Sequence, residues 1–507
     1  NSMGTYLLGL VTAGGRLLQV PDEYRTRTTM YSFYARDQWQ VNRKLTVSYG
    51  SRFEFFPMPW REGGRGMERF DFRTNEMIAC GLGGTPRDCG TSVGRLYFSP
   101  RLGVAYRATE KTVIRTGFGV NWDPWNLARP LRTNFPILAV FNFAAPAFQW
   151  ASTFDQGIPQ LQTPQVGQNG RIAMPTNYLL NTTGDNFQRS YMMNWNFTVQ
   201  RDLGKNYVAQ VGYVGSRAVR VAGNLNLNAG QTPGLDQAGQ PLFQQFRRAV
   251  ATNLVNALGD TVYHSMQATL TKRFSNGFQA NLAYTWSKAI GICCDMQNSG
   301  GPQINALNFF ALNRTLLPVD RTHNVQFTAN YELPFGTGRA IKSGNKVVDS
   351  IIGGWQLNGL MSFMTGTPFN VTADGATLLM PGNTQTPDLI AEPTRLGGIG
   401  RGNPYFDRNA FREVPRGANR FGTLGLNTMR GPSFFNTDLG LFRQFTFKER
   451  FQAQFRAEYF NWTNTPKFAN PVGGINSGDF MFVTGTQAGG REPNGDRILR
   501  IGMRLSF

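Results

Sequence analysis

Residues able to do chemistry are sparse in this 507-residue chain, and the few present are poorly spaced for it. Its four cysteines fall into two pairs. Cys80 and Cys89 flank residues 81–88. In an oxidising exterior such a pair can close a small ring and stabilise its loop by roughly 2–3 kcal/mol on the chain-entropy estimate. Cys293 and Cys294 are adjacent, and a strained vicinal bond or two free thiols both fit. A zinc site would need further Cys or His at set spacing, whereas the only histidines, His264 and His323, are solitary. No metal, cofactor or catalytic thiol is expected. Ser343-Gly-Asn-Lys346 has the S-x-x-K spacing without its companion motifs. Gly397-Gly-Ile-Gly400-Arg-Gly402 is glycine-rich, but no strand–helix context surrounds it for phosphate binding. Asp438 and Glu458 form a carboxylate pair, and glycoside hydrolysis would need such a pair at fixed separation over a sugar. A hydrated interior carrying Arg443 and Arg456 accounts for both acids more simply. The chain does not read as an enzyme.

The elements that must carry these residues follow one pattern, strict alternation. Leu499, Ile501, Met503, Leu505 and Phe507 alternate with Arg500, Gly502, Arg504 and Ser506. Phe451, Ala453, Phe455, Ala457 and Tyr459 alternate with Gln452, Gln454, Arg456 and Glu458. The same period of two runs through Val325–Leu333, Phe278–Trp286 and Tyr191–Val199. It is the mark of a strand with one apolar and one polar face. About fourteen such strands are predicted, near residues 5–12, 28–38, 44–56, 97–107, 112–121, 190–202, 206–215, 261–273, 277–288, 322–333, 354–365, 435–447, 450–461 and 497–507. Most are 10 to 13 residues long. Soluble strands average about 5–6 residues, and a tilted transmembrane strand needs about 9–11.

The polar faces are mostly Gln, Asn, Thr, Ser and Gly with scattered Arg, which suits a hydrated lumen better than the Lys/Glu exterior of a soluble sandwich. Aromatics sit at the ends of the apolar faces, at Tyr31, Trp39, Tyr191, Tyr284, Trp286, Tyr459 and Trp462, as interfacial girdles require. Connections alternate between short (41–44, 108–111, 203–205, 275–277, 448–449) and long (57–96, 122–189, 216–260, 289–321, 366–434, 462–496), with 334–353 intermediate. Bacterial barrels place short turns in the periplasm and long loops outside. The expected fold is therefore all-β, a transmembrane antiparallel β-barrel of the outer-membrane type. The C-terminus is then periplasmic and the long loops extracellular. No apolar run of about 18 residues occurs, which excludes a helical membrane protein. With 13% aromatic and 16% charged residues, disorder is excluded too.

Several runs resemble the barrel of TonB-dependent receptors of the Oar-like group. They are Tyr34-Ala-Arg-Asp37-Gln-Trp39 with Leu45-Thr46, Gly50, Arg52 and Glu54; Ser99-Pro100-Arg101-Leu102-Gly103; Tyr213-Val-Gly215-Ser216; and Thr285-Trp286-Ser287-Lys288. Asp320-Arg321-Thr322-His323, Leu333-Pro334-Phe335-Gly336, Gly354-Trp355, Arg456–Asn464 and the closing Gly502–Phe507 continue the match. The resemblance implies a receptor or importer of the Gram-negative outer membrane, its loops capturing an extracellular ligand and its transport coupled to TonB. It further implies a 22-strand barrel with an N-terminal plug. No plug, TonB-contacting segment or signal peptide is recognisable here, so residues 1–507 are expected to be a single barrel domain, the C-terminal part of a longer protein. A plugless pore, or a surface-interaction protein using the barrel as an anchor, is the alternative.

The net charge of +20 (51 Lys+Arg against 31 Asp+Glu) is dispersed, with no Lys/Arg run longer than two, so nucleic acid is not the expected partner. Arg52, Arg101, Arg115, Arg456, Arg500 and Arg504 fall on polar positions and would make the interior basic. Such a lining favours anionic solutes or holds the acidic underside of a plug. Outside, basic residues near the girdles would meet membrane lipid and lipopolysaccharide phosphates. Trp122, Trp125, Phe148, Trp150 and Tyr405 could stack on a ligand, or equally pack loops together.

Overall fold

The structure is a computed structural model that describes residues 2–19, 25–94, 96–124, 134–135, 138–146, 149–157, 164, 167–292, 301–447, 451–487 and 496–506. Cys293, Cys294, Trp125, Phe148, the 448–449 turn and Phe507 lie outside them. One large sheet dominates. Its continuous path comprises β1 (Tyr31–Gln40), β2 (Leu45–Phe55), β3 (Tyr97–Thr109), β4 (Thr112–Trp122), β5 (Tyr191–Gly204), β6 (Tyr207–Asn226) and β7 (Thr252–Ser275). It continues through β8 (Phe278–Ile292), β9 (His323–Glu332), β10 (Trp355–Met364), β11 (Phe434–Phe447), β12 (Phe451–Phe460) and β13 (Ile498–Ser506). Each strand pairs antiparallel with the next, in chain order from β1 to β13. No helix among the described residues is long and apolar enough to cross a membrane.

Turn chemistry fixes one end of this meander. Asn276-Gly277 joins β7 to β8 with φ of 53° and 77°, and Lys205-Asn206 joins β5 to β6 with φ of 48° and 66°. Two successive positive φ values make the primed turn whose twist matches paired strands. Between β1 and β2 the Asn42 side chain accepts from the backbone N–H of Lys44 (2.8 Å) and Leu45 (2.9 Å), closing an Asx turn. The intermediate connection carries a short helix, Lys346–Ile352, and Asn345 caps it by accepting from Val347 and Val348. The Ser343–Lys346 spacing is thus a helix N-cap. All the long connections gather at the opposite end.

The alternation sorts side chains as expected. Phe197, Val211, Leu270 and Leu282 on the apolar face remain 39–51% exposed. A contiguous face of this kind is untenable in water and suited to lipid. Two clefts open on the polar face. One, of about 360 Å³, spans β7 to β12, and the other, of about 270 Å³, spans β1 to β3.

Three differences from the sequence expectations stand out. Residues 5–12 are no strand of the large sheet: Ser2–Leu7 is helical, Gly9 turns at φ 65°, and Leu10–Val11 pairs with Ser152–Thr153 in a separate two-stranded sheet. A short alternation broken by a positive-φ glycine cannot continue a strand. Second, β6 and β7 are 20 and 24 residues long and run far into the long-loop end. There the apolar alternation stops at Asn- and Gly-rich sequence, and Leu180–Thr183 adds in parallel to β7. The prediction followed only the lipid-facing period and so missed a hairpin that rises beyond it. Third, the sheet is open: β1 and β13 are not paired to each other, and nearly every residue of both is exposed.

The buried core lies in the long connections. One cluster unites Phe369, Val371, Tyr405, Phe411, Met429 and Phe480. A second unites Phe70, Met77, Phe141, Ile172, Tyr178 and Leu180. Smaller ones centre on Met67, Phe187 and Val255, and on Ile304, Leu378 and Leu426.

Candidate functional site

Strand register puts the six arginines singled out from the sequence on the polar face, in two groups. Arg52, Arg101 and Arg115 lie on β2, β3 and β4, while Arg456, Arg500 and Arg504 lie on β12 and β13 at the other edge. They are not one continuous lining. Arg52 approaches Glu54 (3.5 Å), Arg101 donates to Asn121 (2.9 Å) and Arg115 donates to Gln200 (2.6 Å). Arg456 donates to Gln454, and Arg500 stacks 5.0 Å over the Phe460 ring. Sequence reading missed Arg36, which faces Gly50 on β2 in the same row as Arg101. The alternation of β1 (Tyr34, Arg36, Gln38) carried that signal.

Asp438 and Glu458 line the larger cleft on adjacent strands, with Asn281, Asn330 and Asn358 across its floor. The Asp438 Oδ1 atom accepts from the Asn436 amide and the Asn461 backbone N–H, both at 2.9 Å. That carboxylate holds the rim of β11, which fits a structural role rather than acid catalysis.

The loop head above is tightly joined. Cys80 and Cys89 are disulfide-bonded with Cα atoms 5.2 Å apart. The Arg69 side chain donates to the Cys89 carbonyl (3.2 Å) and to Asp185, which Arg73 also reaches at 3.0 Å. Hydrogen bonds from Arg69 and then Arg73 hold the Asp185 carboxyl below its ordinary range. Arg248, fully buried, donates to Asn75 Oδ1 (3.0 and 2.8 Å) and to the carbonyls of Tyr178 (2.5 Å) and Pro175 (2.9 Å). Its ring partner Phe70 lies 5.0 Å away. Burial lowers this guanidinium to about 10, so it stays charged at neutral pH and ties the β6–β7 connection to two others. Glu68 is the converse case, its carboxyl pushed up by burial although Arg61 and Arg65 are beside it.

The loop aromatics divide. Trp122 donates to the Phe98 carbonyl (2.8 Å) and packs between Tyr97 and Tyr191, with ring centres 4.7 and 4.8 Å away. Tyr405 is buried in the head core. Both hold structure. Trp150 is 60% exposed. The Gly397–Gly402 run makes turns with φ of 75°, 84° and 85° at its glycines and leads into no phosphate-binding helix.

A long-stranded antiparallel sheet with one lipid-type apolar face, one polar face and all its long loops at one end fits an outer-membrane β-barrel protein. The chain belongs to the outer membrane beta barrel domain family, which it matches over residues 1–499. No curated protein matches it. Among solved structures it is similar to the ferripyoverdine receptor of the outer membrane of Pseudomonas aeruginosa (TM-score 0.43, 9% identity, 96% of this chain and 40% of that one). It is similar also to the outer membrane transporter YddB from Escherichia coli (TM-score 0.46, 10% identity, 95% and 54%). A third is the ferric citrate transporter FecA in its unliganded form (TM-score 0.43, 10% identity, 96% and 46%). The chain thus spans roughly half the length of these proteins or less.

Proposed function

We propose that this chain is the C-terminal barrel portion of an Oar-like TonB-dependent receptor of the Gram-negative outer membrane. In this reading the long loops capture an extracellular ligand and the polar face lines its route inward, with coupling through an N-terminal region that carries a plug and contacts TonB. The short turns and the C-terminus are periplasmic. The observation that carries the proposal is the pairing of an open, polar-lined sheet with a cored loop head over one end.

Strand parity supports incompleteness of the barrel. Among the described residues the path has thirteen strands, which leaves β1 and β13 running in the same direction, so direct closure would pair them in parallel. A second copy in the same membrane orientation meets the same obstacle. Single-chain bacterial barrels have an even strand number and close antiparallel, so an odd number of further strands is needed; nine would complete a 22-strand barrel.

The test is intact mass together with TonB capture. The native polypeptide is expected near twice 56.5 kDa and retained by an immobilised periplasmic TonB domain. A native mass near 56.5 kDa without TonB retention would favour the alternative of a pore or surface anchor, to which the well-packed loop head also lends itself.

A further inference from the structure

We propose that the polar face of β1–β3 holds a discrete binding site for a small oxyanion bearing carboxylate or phosphate groups, formed by Arg36, Arg52 and Arg101. The inference rests on the reading of this face as pore-lining.

Arg36 and Arg101 flank Gly50 in one row across three strands, and Arg52 stands one step along in the next row of the same face. All three line the cleft of about 270 Å³, several times the ~30 Å³ share of one water molecule. Gly50 keeps the space open. A Cβ there would lie 2.5 Å from the Ala35 carbonyl oxygen and 2.9 Å from the Arg36 Cα, so no other residue fits without moving β1. The gap between the two guanidinium stems is therefore built into the backbone.

The charges do not balance within the site. Among the described residues, Glu54, accepting from Ser99 at 2.7 Å, is the carboxylate ion-paired with one of these arginines, Arg52, while the neighbouring Asp37 accepts from the Tyr49 hydroxyl. Arg101 is held by a neutral amide, Asn121. Among the described residues the Arg36 side chain has no hydrogen-bond or ion-pair partner, its backbone being paired with Gly50. Three guanidiniums with one ion-paired carboxylate leave two positive charges facing the cleft. Planar guanidinium forks bind carboxylate and phosphate in bidentate fashion. The larger cleft, with Asp438 and Glu458, has no such excess and serves as the internal contrast.

The test uses the native polypeptide in detergent and titrates citrate and inorganic phosphate by calorimetry. Saturable binding is expected, weakened about tenfold by Arg36→Gln and by Arg101→Gln, since a hydrogen bond to a charged group carries about 1.5–3 kcal/mol. Arg504→Gln, at the opposite edge, should leave binding unchanged. Heat-modifiable migration of each variant checks folding. Absence of saturable binding, or equal loss in Arg504→Gln, overturns the site. Binding of phosphate and citrate only after the N-terminal region is removed shows that a protein carboxylate occupies the site, and overturns the solute assignment. Ser48→Cys, on the same face, separates the two levels. If it gains labelling over the parent by a water-soluble maleimide while no anion binds, the site alone fails; if it stays unlabelled, the pore-lining reading fails with it.

Discussion

The sheet and the loop head solve the burial problem in opposite ways. Along β5–β8 the apolar side chains point outward and remain exposed, so lipid must serve as their interior. In the head, Phe70, Phe141, Tyr178, Tyr405 and Phe480 are at most 2% exposed. Their core is protein, as in a soluble domain. The polar inventory reverses as well. The arginines of the polar clefts, Arg101, Arg115, Arg456 and Arg500, meet amides and rings, whereas head arginines such as Arg248 and the Arg69–Asp185–Arg73 triad form buried or multi-partner clamps. One chain therefore holds two folding regimes, one set by the bilayer and one by its own hydrophobic contacts. Destabilising the head should then leave the sheet unaffected, and the reverse.

Phe141→Ala makes the first and largest break. The ring lies between Phe143 and Tyr178, with centres 6.0 and 6.4 Å away, and no relaxation of a close-packed cluster refills its volume. A loss of about 3–5 kcal/mol is expected for the head. Hydrogen exchange should show faster exchange over residues 134–183, while heat-modifiable migration and membrane insertion stay normal. Failure to insert would show that head and sheet fold as one unit.

Leu282→Arg makes the reciprocal break. Leu282 sits mid-strand on the lipid-facing side of β8, between the Phe278 turn end and the Trp286 girdle end. A charge near the midplane of such a barrel costs about 2–4 kcal/mol. Folding yield into lipid vesicles should fall in a thickness-dependent way, with head exchange unaltered in the molecules that insert. An unchanged yield would mean that this face does not meet lipid.

How much of this was legible in the sequence follows from the same division. The sheet was, because lipid and lumen impose a period of two that any reader of Phe278–Trp286 or Leu499–Leu505 can see; thirteen of the fourteen predicted segments lie in the sheet. The exception, 5–12, had too few alternations to outweigh Gly9. The Asn276-Gly277 turn was equally local. Of the head, the Cys80–Cys89 bond was legible, and its core was not. Phe70, Phe141 and Tyr178 meet across separate connections and share no period, so nothing short-range marks them as partners. Arg248 looked like one more dispersed cation until the fold brought Asn75 and Phe70 to it. The Arg36 side of the anion cleft was readable from alternation alone, but its meaning needed the register that sets Gly50 between two guanidiniums.

The smallest effect concerns pH and touches only the head. Hydrogen bonds from Arg69 and Arg73 depress the Asp185 carboxyl in the folded state, so folding favours its ionised form. The unfolded carboxyl titrates near 3.9. The resulting stability is complete above that value and is lost as pH falls through the lower folded one. Asp185 is 57% exposed, so solvent screening limits the contribution to about 0.5–1 kcal/mol. Asp185→Asn should remove that contribution at neutral pH and flatten the decline of head stability below about pH 4, read as exchange protection around Ser92 and Thr91. Glu68 acts in the opposite sense: burial raises its carboxyl, so its share of stability declines as pH rises from the unfolded value through the folded one. Sheet exchange along β7 and β8 should follow neither group. A parallel acid decline in the sheet that Asp185→Asn also flattens would show that the two regions share one cooperative unit, and the division drawn between them would fall.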